Sequence, residues 1–404
     1  MKSILVVSQY FYPEQFRVND ICTELKARGY EVTVLTGIPN YPQGEYYEGY
    51  SKTERREEVW NGIRIIRLPI EARKKGSLRL GINYLSFVRE GRKWIRRNKV
   101  DADIVFTYEV SPMTQALVGV RYAKKHHIPH LLYVTDLWPE NVEVITGIHN
   151  KLFLGAIQKM TDHIYHHSRR ILTSSRSFIS AIKKRKVSEE DLEFWPQYAE
   201  DFYKPGSVPA ENLIPRDGKL NLVFAGNIGY AQGLGILADA AVCLKDEKLP
   251  VRFSIAGDGR FLPELKKIID EKGVQDMFNF IGRRPAEEMP AIFAAADALL
   301  ITLSRSKVFS ITIPAKLQSY LACGKPVLVS ADGEVQEIVE QADAGLVSAA
   351  EDASGLAANV KTFSRLTDER KKEMSRNALA YYERYFDRNK LMNRLETVMQ
   401  ELCR

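Results

Sequence analysis

The stretch Phe309–Gly345, FSITIPAKLQSYLACGKPVLVSADGEVQEIVEQADAG, holds a helix start, a helix stop, a buried strand and a second helix start in one short span. Pro314 stands where a first-turn proline is tolerated, Leu317, Tyr320 and Leu321 recur at helical spacing, and Gly324 supplies a stop. After Lys325 and Pro326, the run Val327, Leu328, Val329 is short and wholly apolar, which predicts a strand buried on both faces of a parallel sheet. Ser330–Glu334, rich in Asp and Gly, then opens another helix. Lys316 falls in the first turn of the earlier helix, where free backbone N–H groups and the helix dipole already favour an anion. An ammonium added there predicts a phosphate site. A plain strand–helix repeat has no need of that lysine.

Outward from this corner, strand-like runs alternate with helical patterns. One series comprises Ser3–Ser8, Glu31–Thr36, Ile63–Leu68, Ile104–Thr107, His130–Val134 and Arg170–Thr173. A second comprises Leu220–Ala225, Val251–Ala256, Asn279–Ile281, Ala298–Thr302, Val327–Val329 and Gly345–Val347. Such alternation reads as α/β, with two doubly wound, Rossmann-like domains. The expected division is residues 1–202, a Pro-rich linker at 203–217, and residues 218–386, with a final helix at about 387–404 packing back on the first domain. The cleft between two such domains is the default site.

A chain of 404 residues exceeds one ordinary core, in keeping with two domains. No apolar run is long enough to cross a bilayer, and the first residues lack the features of a secretory signal, so the expected location is cytoplasmic. Cys22, Cys243, Cys323 and Cys403 are far apart and form no metal or disulfide pattern. Residues 1–205 hold 32 Lys and Arg against 24 Asp and Glu, so the basic excess lies in the first half. Within residues 71–99 ten basic residues meet two acids, and Leu78, Ile82, Leu85 and Val88 fall near one helical face. That segment reads either as a helix lying on an anionic membrane surface or as a core helix with a solvated basic side. Nucleic acid is not an expected partner, because the basic residues lack interleaved aromatics.

Candidate ligand contacts follow the strand ends. The turn GNIGYAQGLG, with Gly226, Asn227, Gly229, Gln232 and Gly233, lets phosphate approach a helix N-terminus, although its spacing is neither a dinucleotide fingerprint nor a Walker loop. Gly257 and Asp258 follow the next strand, and Arg283 the one after, all at carboxyl ends where open α/β sheets bind ligands. In the first half, YFYPEQFRVND offers Glu14, Arg17 and Asn19 on a recognition loop. DLWPENVEVITG places Asp136, Trp138 and Glu140 together. Asp136 reads either as a group orienting a hydroxyl or assisting a proton, or as a helix cap. The histidines at 126, 127, 130, 163, 166 and 167 lack an acidic ligand motif and read as surface positions, so no metal is expected.

These motifs, with TGIPNYPQGEYYEGY, NYLSF, FAGNIGYAQGLG, SIAGDG and IPAKLQSYLACGKPV, resemble the retaining glycosyltransferases of family 4, with the two-domain GT-B fold, over nearly the whole chain. They are similar to the bacterial branch that includes the fucosamine transferases of O-antigen and capsule synthesis, which implies an N-acetylated deoxyhexosamine as the sugar. The resemblance implies a nucleotide-diphosphate sugar, a UDP-sugar, held by the second domain, and a lipid-linked saccharide acceptor held by the first. The chain departs from the family where two glutamates usually stand, at Ile311 and Ser319. The usual phosphate-gripping arginine and lysine fall near Asn227 and Gln232, and the usual histidine is Thr135. Lys316 is then the cation left for the diphosphate, backed by Arg305 and Arg283, with Ser319 and Glu337 for ribose or sugar hydroxyls. The reading is metal-independent sugar transfer, with Lys316 and Asp136 as the catalytic pair, at the inner face of the plasma membrane. Two alternatives remain open at this point, a nucleotide-sugar epimerase on the same fold and a non-catalytic nucleotide-sugar-binding subunit.

Overall fold

The computed structural model describes residues 2–74 and 76–404. The chain divides into two compact units, Met1–Trp195 with Met392–Arg404, and Pro196–Leu391.

The first unit is built on an eight-stranded sheet of β1 (Ser3–Val7), β2 (Glu31–Gly37), β3 (Glu57–Trp60), β4 (Ile63–Leu68), β5 (Ile104–Glu109), β6 (His130–Val134), β7 (Arg170–Thr173) and β8 (Leu192–Phe194). The order is β3-β4-β2-β1-β5-β6-β7-β8, parallel except for the β3/β4 pair. Ile4 to Val7 are at most 1% exposed, as a central strand covered by helices on both faces requires. The winding reverses between β1 and β5, so the loops after these strands flank a topological switch point, where such sheets hold ligands.

The second unit has a six-stranded parallel sheet of β9 (Leu220–Ala225), β10 (Val251–Ala256), β11 (Phe278–Gly282), β12 (Ala298–Thr302), β13 (Val327–Ser330) and β14 (Gly345–Ser348), ordered β11-β10-β9-β12-β13-β14. Its switch point lies between β9 and β12. Leu222, Phe224, Phe253, Ile255, Leu300 and Leu328 pack beneath the helices in one core. Each such burial contributes about 1.5–3 kcal/mol before conformational entropy is set against it.

Several features differ from the sequence expectation. Strands β3 and β8 were not foreseen, because EEVW and LEF are short and lack an apolar run. Residues 203–217 lie within the second unit rather than between units. Ala210 N donates to Ala291 O at 3.0 Å, Asn279 Nδ2 donates to Leu213 O at 2.8 Å, and Ile214 is fully buried. The final helix that the sequence assigns to the first domain runs Arg388–Leu402, and its residues from Met392 onward lie in the first unit. There Arg28 pairs with Glu396 at 2.9 Å, and Arg394 Nη2 reaches Glu193 at 2.8 Å. His130 is not a surface residue. It is buried in β6 between the hydroxyls of Thr107 (2.8 Å) and Ser168 (3.0 Å), and burial pushes its pKa down to about 3.

The basic segment forms the helix Ser77–Arg97. Its apolar residues do not share one face. Val88 turns inward with Phe87 and Ile95, whereas Leu78, Ile82 and Leu85 are 78%, 38% and 65% exposed. At 100° per residue Val88 stands about 80° around the helix from Leu78, enough to separate the two sets.

Candidate functional site

In the second unit, the two loops of the switch point are stitched together. Thr302 Oγ1 donates to Gln232 O (2.6 Å), Ser304 Oγ to Tyr230 O (2.7 Å) and Ser304 N to Ala231 O (3.0 Å). This fixes the turn Tyr230–Gln232, with Gly229 before it and Gly233 after it, over the end of β9. Tyr320 braces the same end from below, its hydroxyl accepting from Ala225 N at 3.0 Å. Gly257, at φ +148°, packs so closely that a Cβ would fall 1.9 Å from Gly226 O, so the backbone ends of β9 and β10 approach as no other residue permits.

Lys316 enters this frame from the helix Ala315–Ala322, with Pro314 at its N-cap rather than in its first turn. The ammonium donates to Gln232 Oε1 at 2.6 Å and lies 3.7 Å from the centre of the Phe224 ring. A Cβ on Gly226 would sit 3.4 Å from its Nζ, so the glycine leaves the ammonium room. Burial alone moves the lysine down from 10.5 to about 7, with no carboxylate among the described residues near enough to oppose it. A cation beside an amide oxygen and a ring, at the carboxyl edge of a parallel sheet, can receive an anion. Phe224 and Tyr320 were not foreseen as parts of this arrangement. In the sequence they are ordinary apolar positions of a strand and a helix.

The other residues expected there are less concentrated. Asn227 and Arg283 are exposed. Asp258 accepts from its neighbour Gly259 N at 2.7 Å. Arg305 is turned towards Ala350 O (2.7 Å) and Asp332 (3.9 Å), so its charge is partly committed. Ser319 is buried one turn beyond Lys316, and Glu337 is exposed in the first turn of the helix Glu334–Gln341.

In the first unit, the ends of β1, β5 and β6 converge. Asp136 accepts from Ser111 N (2.8 Å) and Asn141 Nδ2 (2.9 Å), tying the loop after β5 to the helix Glu140–Thr146 rather than capping that helix. Trp138 Nε1 donates to Ser111 Oγ at 3.1 Å. Both carboxylate oxygens of Glu140 accept from Arg185 Nη2, at 3.0 and 3.1 Å. Glu14 is buried and accepts from Asn40 N and Tyr41 N, each at 2.7 Å, and burial raises it to about 7. Asn19 Nδ2 donates to Glu14 O, and Arg17 begins the helix Arg17–Ala27 with its charge felt at Tyr108 and Tyr133.

Two further groups emerge only from the structure. Gln9 links the β1 loop to Asn83 (2.7 Å) and Gln115 (2.6 Å). Glu109, fully buried at the end of β5, has a pKa raised well above the carboxylate range, first by burial and then by Asp136 beside it. Its Oε2 accepts weakly from Thr135 N and Asp136 N, both at 3.3 Å. Glu109 Oε1, Gln9 Oε1 and Thr114 Oγ1 are buried without partners among the described residues, which marks where ligand polar atoms could be received. The one sequence signal for Glu109 is an acid closing an otherwise apolar strand, IVFTYE. No group of three His, Cys, Asp or Glu among the described residues is arranged to hold a metal.

Residues 210–380 match the family described as glycosyl transferases group 1, and residues 15–196 match the glycosyl transferase 4-like domain. Each half of the chain thus matches a glycosyltransferase family. Lys316 and the glycine turns fall in the first match, and Asp136, Trp138 and Glu140 in the second. A putative colanic acid biosynthesis glycosyl transferase of Escherichia coli is 27% identical over 353 residues, covering 81% of this glycosyltransferase and 83% of that protein. A probable glycosyltransferase of Pseudomonas aeruginosa is 27% identical over 53% of the chain and 54% of its own length. Among solved structures, the sucrose-phosphate synthase of Thermosynechococcus elongatus superposes with a TM-score of 0.74 at 16% identity, covering 100% and 99% of the two chains. Anabaena HepE, solved with UDP and glucose, gives 0.70 at 16% identity and 99% of each. The fold is GT-B, and the protein is an enzyme of the glycosyltransferase class.

Proposed function

We propose that this glycosyltransferase moves a sugar, with retention at the anomeric carbon, from a UDP-sugar to a lipid-linked saccharide in the assembly of a surface polysaccharide. The observation that carries the donor half is Lys316, whose ammonium donates to Gln232 and has no carboxylate counter-charge among the described residues, set among close-packed turns at the switch point of the second unit. A diphosphate supplies the missing negative charge. UDP in the solved HepE complexes favours uridine as the base. Relatives named for colanic acid and amylovoran synthesis favour polysaccharide assembly. Resemblance to the fucosamine transferase branch favours an N-acetylated deoxyhexosamine as the sugar.

Chemically, the site has to stabilise charge developing on the leaving diphosphate. Lys316 and backbone N–H groups of the glycine turns do this without a metal, in a water-poor setting where each donor counts for more than in solution. The leaving phosphate itself takes the proton of the attacking acceptor hydroxyl, so no separate base is needed. In the first unit Asp136, held between Ser111 and Asn141, orients that hydroxyl.

The test is a thermal-shift panel of UDP, GDP, ADP and their sugars on wild type and Lys316→Ala, followed by turnover with membrane extract as acceptor. UDP should stabilise wild type, and the substitution should weaken that shift and lower turnover by about two orders of magnitude. Near-normal turnover in Lys316→Ala would sink the assignment.

A further inference from the structure

A pocket of about 380 Å³ opens in the first unit between the helices Ser77–Arg97, Glu140–Thr146 and Lys151–His166. Leu80, Leu85, Val142, Phe153, Ile157 and Met160 give it nearly apolar walls. Its remaining lining changes character. Ser111 and Asn141 hold Asp136, Trp138 donates to Ser111 Oγ, and Thr114 Oγ1 is one of the buried atoms without a partner among the described residues. The pocket therefore joins apolar walls to the polar groups of the candidate acceptor site, a layout that suits an amphiphile.

Around it, large apolar side chains face solvent. Leu78, Leu85, Leu152 and Phe153 are 78%, 65%, 87% and 46% exposed. Scattered singly they would mean little, but here they gather on neighbouring helices at one pocket. The Ser77–Arg97 helix adds a second, independent sign. Positions 78, 82, 85, 89, 92 and 96 form one solvent-facing line at helical spacing, apolar at Leu78, Ile82 and Leu85 and cationic at Arg89, Arg92 and Arg96. Arg89 pairs with Glu90, whereas Arg92 and Arg96 have no ion-pair partner among the described residues. Each half of this line is about 10 Å long. A helix entering a bilayer obliquely sinks apolar side chains by that depth while its cations stay among anionic headgroups.

We propose that the pocket seats one hydrocarbon chain of an anionic membrane lipid, the acceptor lipid of the function proposed above, and that the Leu78–Arg96 line sets its mouth against the bilayer. The chemistry chooses this occupant. The surface pairs cations with apolar groups in the depth order of a membrane, and the pocket leads from that surface to the groups around Asp136. Gly81, which lines the pocket, has no neighbouring atom within 4 Å of where its Cβ would be, so a large side chain there fills the mouth without disturbing the fold.

The probe is dodecyl phosphate brominated on the carbons next to the phosphate, the end that reaches Trp138, read by quenching of tryptophan fluorescence, with butyl phosphate as the control for the charged end. Flotation uses phosphatidylcholine vesicles with and without phosphatidylglycerol. The brominated chain should quench wild type but not Trp138→Phe, and butyl phosphate should not compete. Gly81→Phe should weaken binding by at least about tenfold without altering the melting temperature or the UDP-induced shift. Arg92→Glu with Arg96→Glu should abolish salt-sensitive capture by the anionic vesicles while leaving chain binding within about twofold. Absence of quenching, quenching that survives Gly81→Phe, or a change in sedimenting mass on that substitution, which would make a second copy the occupant, overturns the pocket assignment. Vesicle capture indifferent to phosphatidylglycerol overturns the role of the helix line. The donor and acceptor readings fail separately. Chain binding without transfer to any acceptor upholds the pocket and overturns the acceptor reading. Transfer to chain-bearing and chain-free acceptors alike, with no quenching, does the reverse.

Discussion

Replacing Lys316 by methionine should make the ligand-free protein more stable and its nucleotide binding worse. Met keeps most of the volume and apolar contact with Phe224 while removing the charge. In the unfolded chain the lysine titrates near 10.5, and in the folded chain near 7. Between those values the unfolded state binds a proton that the folded state does not, so stability rises with pH across that window. At about 1.36 kcal/mol per pH unit, the lysine costs the folded state up to about 4 kcal/mol at pH 7 and about 2 kcal/mol at pH 9. Losing the hydrogen bond to Gln232 Oε1 takes back about 1 kcal/mol. A net gain of about 1–3 kcal/mol at pH 7 remains. For a unit of about 200 residues this raises the melting temperature by about 2–4 °C per kcal/mol.

On the function proposed above, the same substitution removes the charge that would meet the diphosphate, at an expected cost of about ten- to a hundredfold in affinity. Scanning calorimetry with and without UDP reads both effects, because the transition that UDP moves in wild type identifies the unit concerned. The expected result is a higher melting temperature for Lys316→Met at pH 7, an advantage that shrinks by pH 9, and a reduced shift with UDP. A variant that melts at or below wild type at pH 7, or an advantage that is flat with pH, refutes the argument that an uncompensated charge is held there.

Three further outcomes follow from the geometry. Glu14, raised from 4.5 to about 7, contributes stability that is full below about pH 4.5 and lost as pH climbs through 7, so Glu14→Gln, which keeps the acceptor for Asn40 N and Tyr41 N, should flatten that loss and melt higher than wild type at pH 8, by up to about 3 kcal/mol in chemical unfolding. Gly257→Ala should destabilise the second unit by about 2 kcal/mol or more and abolish the UDP-induced shift, since its Cβ would overlap Gly226 O, as denaturant titration would reveal. Asp136→Asn should lower turnover at least about tenfold while leaving the UDP-induced shift intact, and equal losses in both would move its role away from the acceptor.

The sheets were legible because strands buried on both faces must be short, apolar and separated by helices, and the runs from Ser3 to Val347 carry that pattern. Lys316 was legible because a cation in a helix's first turn runs against the dipole and asks for a reason. What escaped depends on partners remote in sequence. Gln232 meets Lys316 across 84 positions, and Gln9 reaches Gln115 across 106. Nothing local distinguishes such a glutamine from one in solvent. Glu109 escaped for a related reason, since an acid at a strand end is as readily exposed as buried until the neighbouring strand places Asp136 beside it. The Ser77–Arg97 helix was misread in a more specific way. Its apolar residues are numerous enough for two faces, and periodicity counted them as one.

The departures from the family pattern then acquire a physical sense. A glutamate at position 319 would stand three residues along the helix from Lys316, within reach of its ammonium. A carboxylate that close would hold the lysine charged and already paired. Ser319, and Ile311 at the other position, bring no negative charge, so the lysine's field is opposed only by the amide of Gln232 and the ring of Phe224. On the proposed function, a phosphate at this position would offset the cost of the buried charge, and ligand binding would complete the charge balance. Proton uptake should accompany that step near neutral pH, because the ammonium form that burial disfavours is the form a diphosphate selects. The two missing glutamates thus fit a site that draws its counter-charge from its ligand better than one that has lost its purpose.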